Sequence, residues 1–544
     1  MILLARRFPF TAMCVLMLLV SAHGLVAQET TAWTPKIHFS AAPNWINDPN
    51  GPILLNGQYH LFFQLNPFGD QWGHMSWGHA VSSDLAHWKE LPVAIKEENG
   101  VAIFSGSTVE DRDNTSGLCG AAGEKTPGCL VAVYTGASQD KQDQNLAVSR
   151  DGGATWTKFS GNPVLDLGLK DFRDPKVFWY ARTQSWVMVV SLADKHKVQL
   201  YRSKNLQHWE LTGEFGPAGG VGGVWECPDL FELPVREAAG KGQASGKIVD
   251  KRWVLSVNIN PGGPAGGSAD QYFVGQFDGA RFTEDHPGSG PHWADWGKDF
   301  YASTSFSNTQ AGQDRLWIGW MGNWNYASKL PALPGRGEMT VARNLSLQQP
   351  PAHSSVTPSQ EALLLVQHPD LPTPAYRPSG AMFGAAPYQT LAQANARIAA
   401  QKITGSAYLL RVTLDPGDAA EAGVRLRRST VDPNQAAQEE TVVGIDRESG
   451  RIFVDRTHSG KTDWATEFPA RVWAPLKHAQ ANSVRLEIVV DRNSVEVFAE
   501  DGETVLTDLI YPSASSNGLA FYSTTTPPGV GPALVRSLEF IPLE

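Results

Sequence analysis

Ile53-Leu-Leu-Asn-Gly57-Gln-Tyr-His-Leu-Phe-Phe63 sets two apolar runs on either side of Asn-Gly. Asn-Gly accepts the left-handed backbone that a two-residue turn demands, so the stretch reads as a β-hairpin. Working outward, Lys176 to Tyr201 shows three more short strand patterns, and most of the chain lacks the periodicity of an amphipathic helix. Three segments share a further pattern. Ser83-Asp-Leu-Ala-His-Trp88, Ser149-Arg-Asp-Gly-Gly-Ala-Thr-Trp156 and Ser203-Lys-Asn-Leu-Gln-His-Trp209 each follow a strand and close on Trp, at intervals of 66 and 54 residues. That spacing suits four-stranded blades with elaborated loops, and residues 36–350 have room for five of them.

Beyond Gln349 the composition shifts to Pro, Ser and Ala, as in Gln349-Pro-Pro-Ala-His-Ser-Ser-Val-Thr-Pro358, which reads as a linker. Alternating strand patterns then resume at Tyr408–Thr413, Val484–Val490 and Ser494–Phe498. Closely spaced antiparallel strands of this kind suggest a sandwich. The expected fold is all-β: a five-bladed β-propeller over residues 36–350, a linker over 351–385 and a β-sandwich over 386–544.

Residues 1–27 read as a secretory signal, with Arg6 and Arg7 ahead of an apolar run from Phe8 to Val20 and small residues up to Ala27. The run is too short to span a bilayer, and no later stretch comes close. The mature protein is therefore expected to be secreted or periplasmic, with no membrane attachment. Losing two arginines and no acid takes the net charge from −10 to −12, which disfavours nucleic acid and anionic membrane surfaces as partners and fits a neutral substrate. The 18 Trp residues supply flat faces suited to sugars as well as to cores. Of the four cysteines Cys14 leaves with the signal, and Cys119 and Cys129, which bracket a short Gly-rich loop, are expected to form a disulfide in an oxidising compartment, leaving Cys227 free.

Three acidic motifs carry the chemistry: Trp45-Ile-Asn-Asp48-Pro-Asn-Gly51, Phe172-Arg-Asp174-Pro175 and Trp225-Glu226-Cys-Pro228. Asp-Pro by itself is an ordinary turn former. Here each acid sits among aromatics and proline, which fix the backbone and lower the local dielectric. In a propeller the three motifs fall in different blades, whose first strands converge on a central channel. Converging carboxylates are what glycoside cleavage needs, one to attack or to activate water and one to protonate the leaving oxygen.

The three motifs resemble the signature set of glycoside hydrolase family 32, the invertases, inulinases and levanases. The resemblance continues through Phe62-Phe-Gln64-Leu-Asn-Pro67, Phe104-Ser-Gly-Ser107, Asp299-Phe-Tyr-Ala-Ser303, Gly319-Trp-Met-Gly-Asn-Trp324 and Val489-Val-Asp-Arg-Asn-Ser-Val-Glu-Val-Phe498. It implies a five-bladed propeller followed by a sandwich. It also implies Asp48 as nucleophile, Glu226 as acid/base and Asp174 as the carboxylate that stabilises the transition state, with Asp48 and Glu226 roughly 5–5.5 Å apart as in a retaining enzyme. Asn47, Gln64, Trp72, Phe104, Ser105, Arg173 and Trp324 are the implied fructose pocket. For Phe104 and Trp324, packing and sugar contact fit the sequence equally well. The family's usual motif has Trp where Gly335 stands, a loss expected to open the rim beyond the fructosyl site.

Fructan or sucrose is the implied substrate, with no cofactor. No His-Glu-x-x-His or paired Cys-x-x-Cys motif is present, so no metal site is expected. Gly460-Lys-Thr462 lacks the leading glycine of a phosphate loop and reads as a turn. Exo-acting hydrolysis leads. An endo-acting fructanase, a fructosyltransferase and an inactive sugar-binding module are the competing readings.

Overall fold

The structure, a computed structural model, describes residues 32–543 apart from 42, 122–124, 238–245, 310–314, 333, 351–361, 373–388, 433, 479–481 and 525–530. The signal read at residues 1–27 and most of the linker therefore lie outside the described residues. The chain is nearly all β-structure, a propeller-like domain followed by a β-sandwich.

Each of the first three sheets is a meander of four antiparallel strands. The first holds β1 (Trp45–Leu55), β2 (Gln58–Asn66), β3 (Ser76–Ser82) and β4 (Trp88–Ile95), with Asn56 and Gly57 both left-handed at the β1–β2 turn. The second holds β5 (Ala102–Glu110), β6 (Leu130–Ala137), β7 (Gln142–Ser149) and β8 (Thr157–Lys158). The third holds β9 (Phe172–Tyr180), β10 (Ser185–Leu192), β11 (Lys197–Ser203) and β12 (Glu210–Phe215). A fourth meander runs through β13 (Val224–Arg236), β14 (Ile248–Asn260), β15 (Ala269–Phe277) and β16 (Phe282–Glu284), with the short β17 (His292–Trp293) also on β15. β18 (Tyr301–Ser305), β19 (Arg315–Met321), β20 (Glu338–Met339), β21 (Arg343–Gln348) and β22 (Leu364–Pro369) follow, and β21 pairs in parallel with the far end of β13, joining both groups into one sheet. The first strands pack in a ring, β1 on β5, β5 on β9, β9 on β13, β13 on β18 and β18 on β1.

The three Trp-closed segments are the connections from third to fourth strand in the first three sheets. Asp84 Oδ1 accepts the backbone N–H of Ala86 and His87, and Asn205 Oδ1 does the same for Gln207 and His208. In all three the closing indole donates to the carbonyl three residues earlier: Trp88 to Leu85, Trp156 to Gly153 and Trp209 to Leu206. Asp278 makes the same kind of turn between β15 and β16, where Phe282 replaces the Trp. The side chain supplies the acceptor the turning backbone lacks, which is why Asp and Asn recur there.

Apolar side chains from facing sheets fill the space between them; Val131, Val133 and Leu146 of the second sheet, for instance, pack with Val177, Met188 and Val190 of the third. Leu364–Pro369 falls inside the stretch read as linker, yet it pairs with β21 along its whole length and buries Leu365 and Val366. Its short apolar run lies between Pro- and Ser-rich flanks that masked it in composition.

The second domain stacks a six-stranded sheet, running from Gln389–Thr390 through Leu534–Pro542 and Tyr408–Asp415 to Thr504–Leu509, on a five-stranded one running from Arg471–Pro475 to Gly518–Ser523. A helix at Leu391–Ala400 departs from the all-β expectation. Thr390 and Gln393 cap it reciprocally, and Leu391, Ala394 and Ile398 bury its inner face. Buried ion pairs join the domains. Arg343 reaches Asp295 at 3.1 Å and Glu496 at 2.6 Å, and His38 sits between Asp491 at 2.8 Å and Glu496 at 2.9 Å.

Candidate active site

Asp48, Asp174 and Glu226 occupy the first few residues of β1, β9 and β13, and Ser105 and Tyr301 the corresponding ends of β5 and β18. In each of these strands the pairing register slips there: between Ile46 and Pro49, Ile103 and Gly106, Arg173 and Lys176, Glu226 and Asp229, and Tyr301 and Thr304. A bulge turns a side chain out of the pleat, so the five strands aim their early residues into the central space. Asp174, Cys227 and Ala302 take positive φ of 69°, 45° and 53°. Non-glycine residues hold such angles at a cost of about 1–3 kcal/mol each, borne by the surrounding hydrogen bonds. Thr135 Oγ1 accepts the Asp174 N–H, and Asn258 Oδ1 accepts the Ala302 N–H.

Asp48 is held by a relay. The Trp45 indole donates to Asn47 Oδ1 at 2.8 Å, which turns the Asn47 amide nitrogen onto Asp48 Oδ1 at 2.9 Å. Ser105 Oγ donates to Asp48 Oδ2 at 2.7 Å. Burial raises the Asp48 carboxyl above the ordinary aspartate range, and the Ser105 and Asn47 hydrogen bonds pull it back toward ionisation.

Asp174 Oδ2 accepts the Cys227 N–H at 2.9 Å, and the Cys227 thiol lies 3.7 Å from both Asp48 Oδ2 and Asp174 Oδ2. Burial also raises Asp174, against the pull of the Arg173 guanidinium. Burial and the three acids push the Cys227 thiol well above its usual range, so it is a neutral S–H wedge between carboxylates.

Glu226 is half-buried with both oxygens engaged: Arg173 Nε donates to Oε1 at 3.0 Å, and the Tyr301 hydroxyl makes a short hydrogen bond to Oε2. Arg173 is fixed in turn by Asp171 at 3.0 Å and by Gln142 Oε1 at 3.2 Å. Burial works against its charge, but Glu226 and Asp174 hold it protonated. Burial and the neighbouring acids keep the Tyr301 phenol protonated too, so it can only donate to a Glu226 carboxylate.

The remaining expected residues line the same region. Gln64 is buried on β2, and its Nε2 has no partner among the described residues. Trp324 stacks on Trp45 at 6.0 Å, and Trp72, 51% exposed, meets Phe104 edge-on at 6.1 Å. Trp324 and Phe104 pack against one apolar cluster with Trp45, Tyr301 and Trp320, so both support the wall.

Gly335 does not open the rim. It is buried, and a Cβ there would lie 2.1 Å from the Ala41 carbonyl oxygen and 2.5 Å from that of Asn44, so close backbone approach excludes a side chain. Arg336 continues the contact, donating its N–H to Asn44 O and its guanidinium to Asp70. The sulfurs of Cys119 and Cys129 are bonded and Cys227 is free. Sequence reasoning missed Tyr301, although the Asp299-Phe-Tyr-Ala-Ser303 motif contained it, and missed Gln142, Asp171 and Asn258, which carry no local signal.

Comparison with known proteins gives a family model described as the glycosyl hydrolases family 32 N-terminal domain over residues 38–358, and its C-terminal counterpart over 385–539. A levanase of Bacillus subtilis (strain 168) is 42% identical over 518 residues, covering 94% of this chain and 70% of that protein. An extracellular exo-inulinase of Aspergillus awamori is 40% identical over 514 residues, covering 88% and 89%. Among solved structures, the Aspergillus awamori exo-inulinase matches with a TM-score of 0.79 at 36% identity over 94% of this chain and 99% of the other. A fructofuranosidase from Schwanniomyces occidentalis complexed with fructose matches with a TM-score of 0.80 at 30% identity, covering 94% and 99%.

Proposed function

The chain belongs to glycoside hydrolase family 32, and from that premise we propose that it is a retaining, exo-acting β-fructosidase that takes terminal β-D-fructofuranosyl units from levan, inulin and sucrose. The observation that carries this reading is the convergence of Asp48, Asp174 and Glu226 with their hydrogen-bond partners at the bulged ends of the ring of first strands. That ring also supports five blades, the fifth built from β18, β19 and β21. The apolar start of the chain and the extracellular naming of its relatives support a signal over 1–27 and a secreted or periplasmic protein.

Asp48 attacks the anomeric carbon as the bond to the leaving oxygen breaks and Glu226 delivers its proton to that oxygen. Water then attacks the fructosyl ester of Asp48, giving its proton to Glu226, and Asp48 departs as carboxylate. Asp174 and Gln64 bind fructosyl hydroxyls in this reading, and Asn47 orients the nucleophile through its hydrogen bond to Asp48. Each Glu226 oxygen accepts one donor, Arg173 or Tyr301, and keeps a second lone-pair site that can carry the proton for the leaving oxygen.

The test is the product at early times. Free fructose should be the first and dominant product from levan and inulin, appearing as the β-anomer by NMR. Fructo-oligosaccharides ahead of fructose would mean endo cleavage, and initial α-fructose would overturn the double displacement.

A further inference from the structure

The strands that carry the carboxylates end at a second opening. A cavity of about 430 Å³ lies there, lined by the last residues of β5, β9 and β18, among them Glu110, Tyr180 and Ser305. At roughly 3.3 Å per strand residue, the end of β9 stands on the order of 20 Å along the strand from Asp174. Lys176, two residues past Asp174, lines the cavity, and its buried ammonium is held by Thr304 Oγ1 at 2.9 Å, Ser305 O at 2.5 Å and Asp229 Oδ2 at 3.0 Å.

Four features of this far mouth point to a neutral, hydroxyl-rich ligand. Trp179 is 41% exposed and stands edge-on to Trp186 at 5.1 Å, offering an indole face in a wall of polar groups. Asp229, 1% exposed, lines the cavity, and its Oδ1 has no hydrogen-bond partner among the described residues. The charged lining of this cavity is balanced, Glu110, Asp229 and Glu232 against Lys176, Arg182 and Arg315, and the adjoining cavity adds Asp111 and Asp113 against Arg112, so no strong net field favours an ion. A second cavity of about 450 Å³ adjoins the first and shares Glu110, Trp179 and Asn308 with it. Both volumes fall in the range of small-molecule sites. Two such spaces flanking one exposed indole suit consecutive units of a chain, with C–H faces on the ring and hydroxyls on the carboxylates and Asn308.

We propose that this far mouth is a second, non-catalytic carbohydrate site that holds a fructan chain while another chain end enters the catalytic pocket. The fructan identity rests on the reading under Proposed function; the site itself rests on the geometry just given. It is tested with full-length Asp48→Asn protein in native gels containing levan or inulin, with sucrose in excess to fill the catalytic pocket. The polysaccharide should still retard the protein, and adding Trp179→Ala or Arg182→Ala should weaken binding by about tenfold. Arg182 is exposed at the rim, so its variant separates lost binding from altered folding. With Asp48 intact, both variants should keep kcat/KM on sucrose within about twofold of the parent and show a raised KM on levan only. Retardation abolished by sucrose, or unchanged in both variants, would overturn the proposal. Sucrose and levan hydrolysis by the unmodified enzyme tests the catalytic reading separately.

Discussion

Glu226 and Asp48 differ in surroundings, and the difference sets how each responds to substitution. Glu226→Ala removes the proton donor, so kcat/KM on sucrose should fall about 10²–10⁴-fold while an aryl fructoside with a good leaving group loses far less. Equal losses on the two substrates would refute the acid role. Asp48 must be ionised to attack, and burial raises its carboxyl, so the acid limb of the kcat/KM profile should lie above the ordinary aspartate range. The Ser105 hydroxyl donates to the ionised form. Ser105→Ala deletes that stabilisation, which favours the protonated acid and should move the acid limb upward by about one pH unit. A limb that stays put or moves down would show that Ser105 does not tune the nucleophile.

Neighbouring strands of the first sheet carry a buried pair of imidazoles. His60 on β2 and His79 on β3 face each other with Nδ1 and Nε2 3.0 Å apart, and Phe62 stacks on His79 at 4.3 Å. Burial holds His79 down to about 3 and lowers His60 as well. Both are then neutral in the fold, while the unfolded chain binds protons near 6.5. The stabilisation is present above that value and is lost as pH falls from 6.5 toward 3. Urea midpoints should decline across that window, and less steeply in His79→Phe, which cannot take the proton. Parallel slopes would exclude the pair as a source of acid sensitivity. These strands lie behind β1, so acid loosening of the sheet reaches the Asp48 strand directly.

The two domains are held as one molecule by charges far from water. Burial alone would strip His38 of its proton, but hydrogen bonds to Asp491 and Glu496 outweigh it and raise the imidazole to about 10. Its contribution is complete below 6.5 and is lost as pH rises toward 10. Burial would raise Asp491 and Glu496, but His38 lowers Asp491, and Arg343 and then His38 lower Glu496, so their share is present above the ordinary carboxylate range and is lost in acid. Glu496→Gln leaves Arg343 and His38 short of a buried anion and should cost about 3–5 kcal/mol. Denaturant unfolding should show the loss, and the parent's advantage over the variant should shrink above pH 9. An unchanged midpoint would mean that the apolar interface alone joins the domains.

The β-hairpin at Asn56-Gly57, the Asp/Asn-to-Trp turns and the three acidic motifs are legible along the chain, because each is written in neighbouring residues whose backbone preferences and side-chain donors act locally. Motif order along the chain was enough to name the family. Which groups touch depends on how the distant strands come together. Tyr301 reaches Glu226, Cys227 wedges between Asp48 and Asp174, and Gly335 is required by carbonyls of the distant Ala41 and Asn44. A strand formed inside the Pro-rich stretch because β21 offered it an edge, and Lys176 of β9 found Asp229 of β13. These contacts join residues remote in sequence through bulges and ring closure. A period-two pattern fixes which face a side chain takes, but not where a bulge redirects it or which strand arrives opposite.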